Sequence, residues 1–160
     1  LMPVQHITPG IQLHSASISP FVAREGTTQT FAAGAIVAPD PTDSNRLEVG
    51  LTNPINIAGI AALAATGTAG AVMPYYPALP GMVFEGSVDN TGLGTGVIAA
   101  GDLFADYGLT VTAGGIWYID KDKTGATRRV KIIGFRDALA VVTGRVWFIF
   151  LPDVTIFAST

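Results

Sequence analysis

Arg145-Val146-Trp147-Phe148-Ile149-Phe150-Leu151 is the stretch that decides the fold class. Side chains of a strand alternate between its two faces, and here both sets are apolar, Val146, Phe148 and Phe150 on one and Trp147, Ile149 and Leu151 on the other. Such a strand is expected to be buried on both sides, one face filling a barrel and the other covered by the rest of the chain or by another subunit. Upstream, residues 82–85, 97–100, 109–112, 116–120 and 130–135 are further short β-type runs separated by Gly and Asp. Six short strands at this spacing predict a small β-barrel or sandwich over residues 81–160.

The middle of the chain, 31–80, reads as a β or irregular segment rich in Ala and Gly. Residues 31–38 form a short apolar run that ends in Pro39-Asp40-Pro41-Thr42-Asp43-Ser44-Asn45, a cluster that favours turns. Arg46-Leu47-Glu48-Val49-Gly50-Leu51 then alternates as a half-buried strand does. Residues 51–84 carry no charge, and 55–73 are long enough to admit a membrane helix. That segment is mostly Ala, Gly and Thr, contains Asn56, lies between Pro54 and Pro74 and has no basic residue nearby to orient it. A packed helix or loop at a subunit contact accounts for it better, and no membrane partner is expected. Pro74-Tyr75-Tyr76-Pro77-Ala78-Leu79-Pro80 must be extended or turning, and is read as a linker into the second lobe.

Residues 1–30 hold His6 and His14, Pro3, Pro9 and Pro20, and many hydroxyl residues without helical period. Ile7, Ile11, Leu13, Ile18, Phe21 and Val22 lie among them. This reads as an extended N-terminal arm that adds to a neighbour's sheet edge, contributing to attachment more than to folding of the C-terminal lobe. Residues 1–10 show no basic region followed by an apolar stretch, so no secretory leader is expected there.

Composition points the same way. Of 160 residues 13% are charged, about half the usual share, 49% are apolar, and mean hydropathy is +0.45. Lys and Glu, the commonest solvent-facing residues, occur three times each (Lys121, Lys123, Lys131; Glu25, Glu48, Glu85). Interface cores are depleted in both, so a homo-oligomer is expected. A net charge of −3 and a pI near 5.1 give no electrostatic case for nucleic acid. The absence of cysteine excludes disulfides, zinc-thiolate sites and thiol nucleophiles.

Chemistry-bearing patterns are few. Asp120-Lys121-Asp122-Lys123-Thr124-Gly125 opens like a calcium loop, but Lys131 holds the position of the closing Glu and the flanks are β runs where helices are required. A hairpin turn with Gly125 in the left-handed conformation fits better. The two histidines lie in the arm rather than on a scaffold, and no carboxylates are spaced to join them on a metal or in a triad. Asp102 and Asp106 invite a carboxylate-based hydrolase, yet Ala99-Ala100-Gly101-Asp102 reads first as a turn. Gly92, Gly94 and Gly96 do not make a phosphate-binding loop. No cofactor, metal or catalytic residue is assigned, and no enzymatic activity is expected.

The low-charge, cysteine-free chain, the arm around residues 11–31, and the Gly-rich β region containing Ala99-Ala100-Gly101-Asp102 and Gly144-Arg145-Val146-Trp147-Phe148 resemble the small decoration, or cement, proteins of tailed-bacteriophage heads. The resemblance implies a β-rich homotrimer on the outer capsid surface of a virion, clamping neighbouring major capsid protein subunits together. Candidate assembly-interface residues are Ile11, Leu13, Phe21, Phe31, Tyr75, Tyr76, Arg128 and Arg129. The alternatives are a tail, fibre or minor coat protein and, from other classes, the hydrolase or a membrane-inserted protein.

Overall fold

A computed structural model describes residues 10–14, 18–91 and 94–158. His6, Ile7 and Gly92, with Pro3 and Pro9, lie outside the described residues. The chain is mainly β: β1 (Ile11–Leu13), β2 (Phe21–Arg24), β3 (Ile36–Pro39), β4 (Leu47–Val49), β5 (Gly59–Ala61), β6 (Val72–Pro77), β7 (Phe84–Asp89), β8 (Asp106–Val111), β9 (Trp117–Asp120), β10 (Val130–Phe135) and β11 (Arg145–Phe150), with three short 3₁₀ turns.

The C-terminal lobe is a closed five-stranded barrel. Its strands run β7-β11-β10-β8-β9, and β9 returns to β7 through the parallel pairs Val88 with Ile119 and Asp89 with Asp120. The alternation in the deciding stretch puts Val146, Phe148 and Phe150 inside, where Phe84, Phe148 and Phe150 pack with ring centroids 4.9–5.8 Å apart. On the other face Leu151 is buried, but Trp147 and Ile149 are only half-buried, not fully as the sequence suggested, because their cover is thin. His14 stacks on Trp147 at 4.9 Å, and Gly134 lies close enough that an added Cβ would come 2.8 Å from the indole.

The first lobe repeats the plan. Its sheet runs β2-β6-β5-β3-β4, and its two outer strands meet where Glu25 and Leu47 form a parallel bridge, with the Gly26 N–H donating to the Leu47 carbonyl at 2.8 Å. In both units the first strand pairs antiparallel with the fifth, the fifth with the fourth, the fourth with the second, the second with the third, and the third meets the first in parallel. The second to fifth strands begin at residues 36, 47, 59 and 72 in one unit and at 106, 117, 130 and 145 in the other. The units are tied by a bridge between Ile57 and Thr155, by the Arg129 guanidinium donating to the Pro54 carbonyl at 2.7 Å, and by Asn53, whose side chain bonds Leu109 and Thr127 at 2.8 Å each.

Several expectations change. Among the described residues of 1–30 no arm stands free of the chain's own sheets: β1 pairs with β7 of the barrel, and β2 is the first strand of the first unit. The sequence had shown short apolar extended pieces but not their partners. Residues 55–73 are not helical; they contain β5 and the start of β6. At Gly59 a Cβ would run into the Tyr76 carbonyl oxygen, so glycine is what lets β5 lie against β6. Four of the seven residues read as a linker, Pro74-Tyr75-Tyr76-Pro77, are strand β6. The run at 97–100 gives no strand but one bridge, Val97 with Val142, and the first 3₁₀ turn (Ala100–Asp102). Gly125 has the expected positive φ of 58°, but β9 and β10 are separated by β8, so the turn begins a crossing connection rather than closing a hairpin.

Candidate assembly surface

Two loops at one end of the barrel, 90–105 and 136–144, are held by carboxylates at their roots. Asp89, at the end of β7, is almost wholly buried, and its Oδ1 accepts backbone N–H bonds from Asn90, Thr95 and Gly96 at 2.8, 3.2 and 2.9 Å. Its Oδ2 accepts one from Gly94 at 2.6 Å. Burial alone would raise this carboxyl, and the four N–H groups more than offset it, holding it below its usual value. Asp102, also buried, accepts from the Ala99 N–H at 2.8 Å, the Tyr107 hydroxyl at 2.7 Å and the Lys121 ammonium at 2.8 Å. Burial, and then the Asp102 carboxylate, push the Tyr107 phenol far above its ordinary range. Asp137 accepts from both the backbone and the guanidinium of Arg145, which lower it.

The loops are laced to each other. Thr143 donates to the Gly96 carbonyl at 2.7 Å, Ile98 to Val141 at 3.2 Å and Ala140 to Ile98 at 2.8 Å. Phe104, Ala140 and Thr143 all take positive φ, 65°, 64° and 48°. For a bulky residue such as Phe104 that conformation is strained, and the Phe104 N–H bond to the Ile132 carbonyl at 2.9 Å helps hold it. The product is a firm frame that leaves Val97, Leu103, Phe104, Leu139, Val141 and Val142 exposed, Phe104 by 66%. No charged residue occurs in 91–101 or 138–144. A second, smaller apolar strip lies on the first unit, where Val22 and Val72 stand exposed on the neighbouring strands β2 and β6.

The candidate residues from the sequence are scattered. Ile11 and Tyr75 are buried, and Leu13, Phe31 and Tyr76 are half-buried against the core. Phe21 is exposed, edge-on to Tyr75 at 6.1 Å. Arg128 is half-buried and pairs with Asp106 and Asp153 at 3.2 and 3.3 Å. Arg129 is buried as a tie between units. None of them lies on the laced loops. The residues that do were missed, although the uncharged runs 91–101 and 138–144 were visible signals.

Acid–base chemistry would need a carboxylate free to meet a substrate. Asp102 is fully engaged, and Asp106 forms ion pairs with Lys131 at 2.6 Å and with Arg128. Asp120, the first residue of the calcium-like string, is buried and bonded by the Lys123 ammonium, the Thr91 hydroxyl and the Asp122 N–H. Among the described residues no group of three or more His, Asp or Glu side chains is placed to hold a metal ion, and no helix is long and apolar enough to cross a membrane. Compared with known protein families, with curated proteins and with solved structures, the chain finds no match.

Proposed function

We propose that this protein is a structural virion component, a homotrimer on the outer surface of a phage capsid that stabilises the shell by bridging neighbouring major capsid protein subunits. The observation that carries the reading is the laced loop pair at the end of the barrel, an apolar surface edged by the Lys121 and Lys131 ammonium groups, which bond the Val97 and Phe104 carbonyls, on a strained, hydrogen-bonded frame. Fully burying one large apolar side chain contributes about 1.5–3 kcal/mol, so a few such contacts per copy suffice for a clamp repeated over a lattice. Because the clamp binds the assembled shell and not separated coat subunits, it stabilises by mass action. The low overall charge and the resemblance to decoration proteins favour the same reading.

The test uses shells assembled from a coat protein encoded beside this reading frame, co-sedimented with the full chain. Binding is expected to saturate, and Phe104→Asp with Val142→Asp should weaken it at least tenfold, about 1.4 kcal/mol, without lowering the melting temperature. Saturable binding to purified tails but not shells would move the protein to the tail, and binding to neither would refute the virion role.

A further inference from the structure

Beside β1 an apolar groove of about 330 Å³ stands partly open to solvent. Ile11 and Leu13 of β1 flank it, Ile60 of β5 and Trp117 of β9 are buried in its wall, and Ala32 and Ala33 are exposed along it. Its two charged residues are already matched within the protein. Arg145 binds Asp137 through Nε and Nη2 at 3.1 Å each, and Glu85 is bonded by Arg136 and by the Gln12 amide, the latter at 3.0 Å. The groove therefore suits an uncharged occupant, since a charge seated there would lack a counter-charge. Gly34 lies against the Ile11 carbonyl oxygen, where even a Cβ would collide, so no further strand can add to β1 at that point. An occupant must enter by its side chains.

The sequence supplies such an occupant. Gly10, the first described residue, is itself part of the groove wall, and residues 1–9 run straight into it. They include Leu1, Met2, Val4 and Ile7 and no Asp, Glu, Lys or Arg. Gly10 has a φ of 147°, whereas a tight reversal centred on Pro9 and Gly10 requires about −90° or +80° at Gly10, so the chain is not turned back into its own groove at that residue. Nine extended residues reach about 30 Å, about twice the 15 Å radius of gyration expected for a chain of this size. A neighbouring copy lies within that reach. We infer that residues 1–9 of one copy dock in the groove of the next, with Val4 and Ile7 as the anchoring side chains, a head-to-tail contact that closes into a ring of three. The inference rests on the homotrimer of the proposed function and names the contact that holds it, independently of what the ring binds.

The chain has no cysteine, so introduced thiols report without background. Full-length Val4→Cys and Ala33→Cys chains, mixed and oxidised, are expected to join in a disulfide-linked heterodimer. The joint should form at least tenfold faster than when Leu51→Cys, exposed but outside the groove, takes the place of Ala33→Cys. Sedimentation of the unaltered chain should show a trimer, and Val4→Asp with Ile7→Asp should weaken its association at least tenfold. A trimer whose Val4→Cys and Ala33→Cys chains join no faster than the control, or which the two Asp substitutions leave unchanged, overturns the inference and leaves the homotrimer standing. The same holds if a chain carrying both Cys substitutions closes its disulfide only within itself at the same concentration. A monomer or dimer at micromolar concentration overturns the inference and the homotrimer together.

Discussion

Asp89→Asn changes one atom of a buried carboxylate and tests whether the loop frame rests on that charge. If the amide keeps its oxygen at Oδ1, the bonds from Asn90, Thr95 and Gly96 survive as neutral ones. Its NH₂ then faces the Gly94 N–H, now 2.6 Å from Oδ2, and donor meets donor. Hydrogen bonds to a charged group contribute about 1.5–3 kcal/mol and neutral ones roughly half that, so losing one and weakening three should cost about 2–4 kcal/mol. For a chain of this size that lowers the melting temperature by about 5–12 °C. Urea unfolding at pH 7 reads the difference directly, with an unchanged m-value as the check that only stability moved. The folded-state pKa of Asp89 is depressed, so its contribution is complete above the unfolded value and is lost as pH falls through the folded one. The gap between the two proteins should therefore narrow as pH drops below about 4. A difference under about 0.5 kcal/mol at pH 7 would refute the reasoning, because burial of that carboxylate would then be stabilising nothing.

Gly59→Ala should destabilise by at least about 2 kcal/mol in denaturant unfolding, since the new Cβ meets the Tyr76 backbone oxygen and neither strand can move away cheaply. Removing residues 1–14 deletes β1, exposes the surface covered by Ile11 and unstacks Trp147, so calorimetry should show the barrel losing about 2–3 kcal/mol. An unchanged melting temperature would return that segment to a purely intermolecular role. Acid titration of the whole chain should show stability falling below about pH 4.5, because Glu25, Asp40, Asp89 and Asp137 are all depressed by hydrogen bonds. Glu48 opposes them weakly, being raised by burial and by Asp40, and stability that rises steadily on acidification would mean its sign prevails.

The barrel was legible because alternation survives in its strands: residues 130–135 emerge at the expected positions, and β8, β9 and β11 within a few residues. The 97–100 run was not, because its apolar residues serve a loop surface and a 3₁₀ turn, and apolarity alone does not distinguish that from a strand. In the first unit the alternation at 46–51 did mark β4, but the rest was hidden by Pro74 and Pro77, which read as punctuation but sit inside β6, and by β3 and β5, too short to show a period. The candidate site was half legible. Uncharged runs mark the loops in the sequence, whereas some aromatic and basic residues of interface type are spent by the fold on its own core and ties, as with Tyr75 and Arg129. The anchoring role of Asp89 depends on four amides converging on one carboxylate, which no spacing of residue types announces.

The repeated strand order has a geometric consequence for any threefold assembly. Three chains, each carrying two units of one topology, present six similar modules, so contacts that are equal only every 120° can approximate a hexagonal spacing. Because the halves share one backbone but not one sequence, alternate modules are free to specialise. In this chain the second exposes Phe104, Val141 and Val142 on its laced loops, and the first exposes Val22 and Val72 on β2 and β6 together with Leu51 and Ile55 on the loop after β4. A polymer of two chemically distinct faces on one repeating frame can therefore grip unlike neighbours at alternate positions around a ring, which six copies of a single barrel could not do.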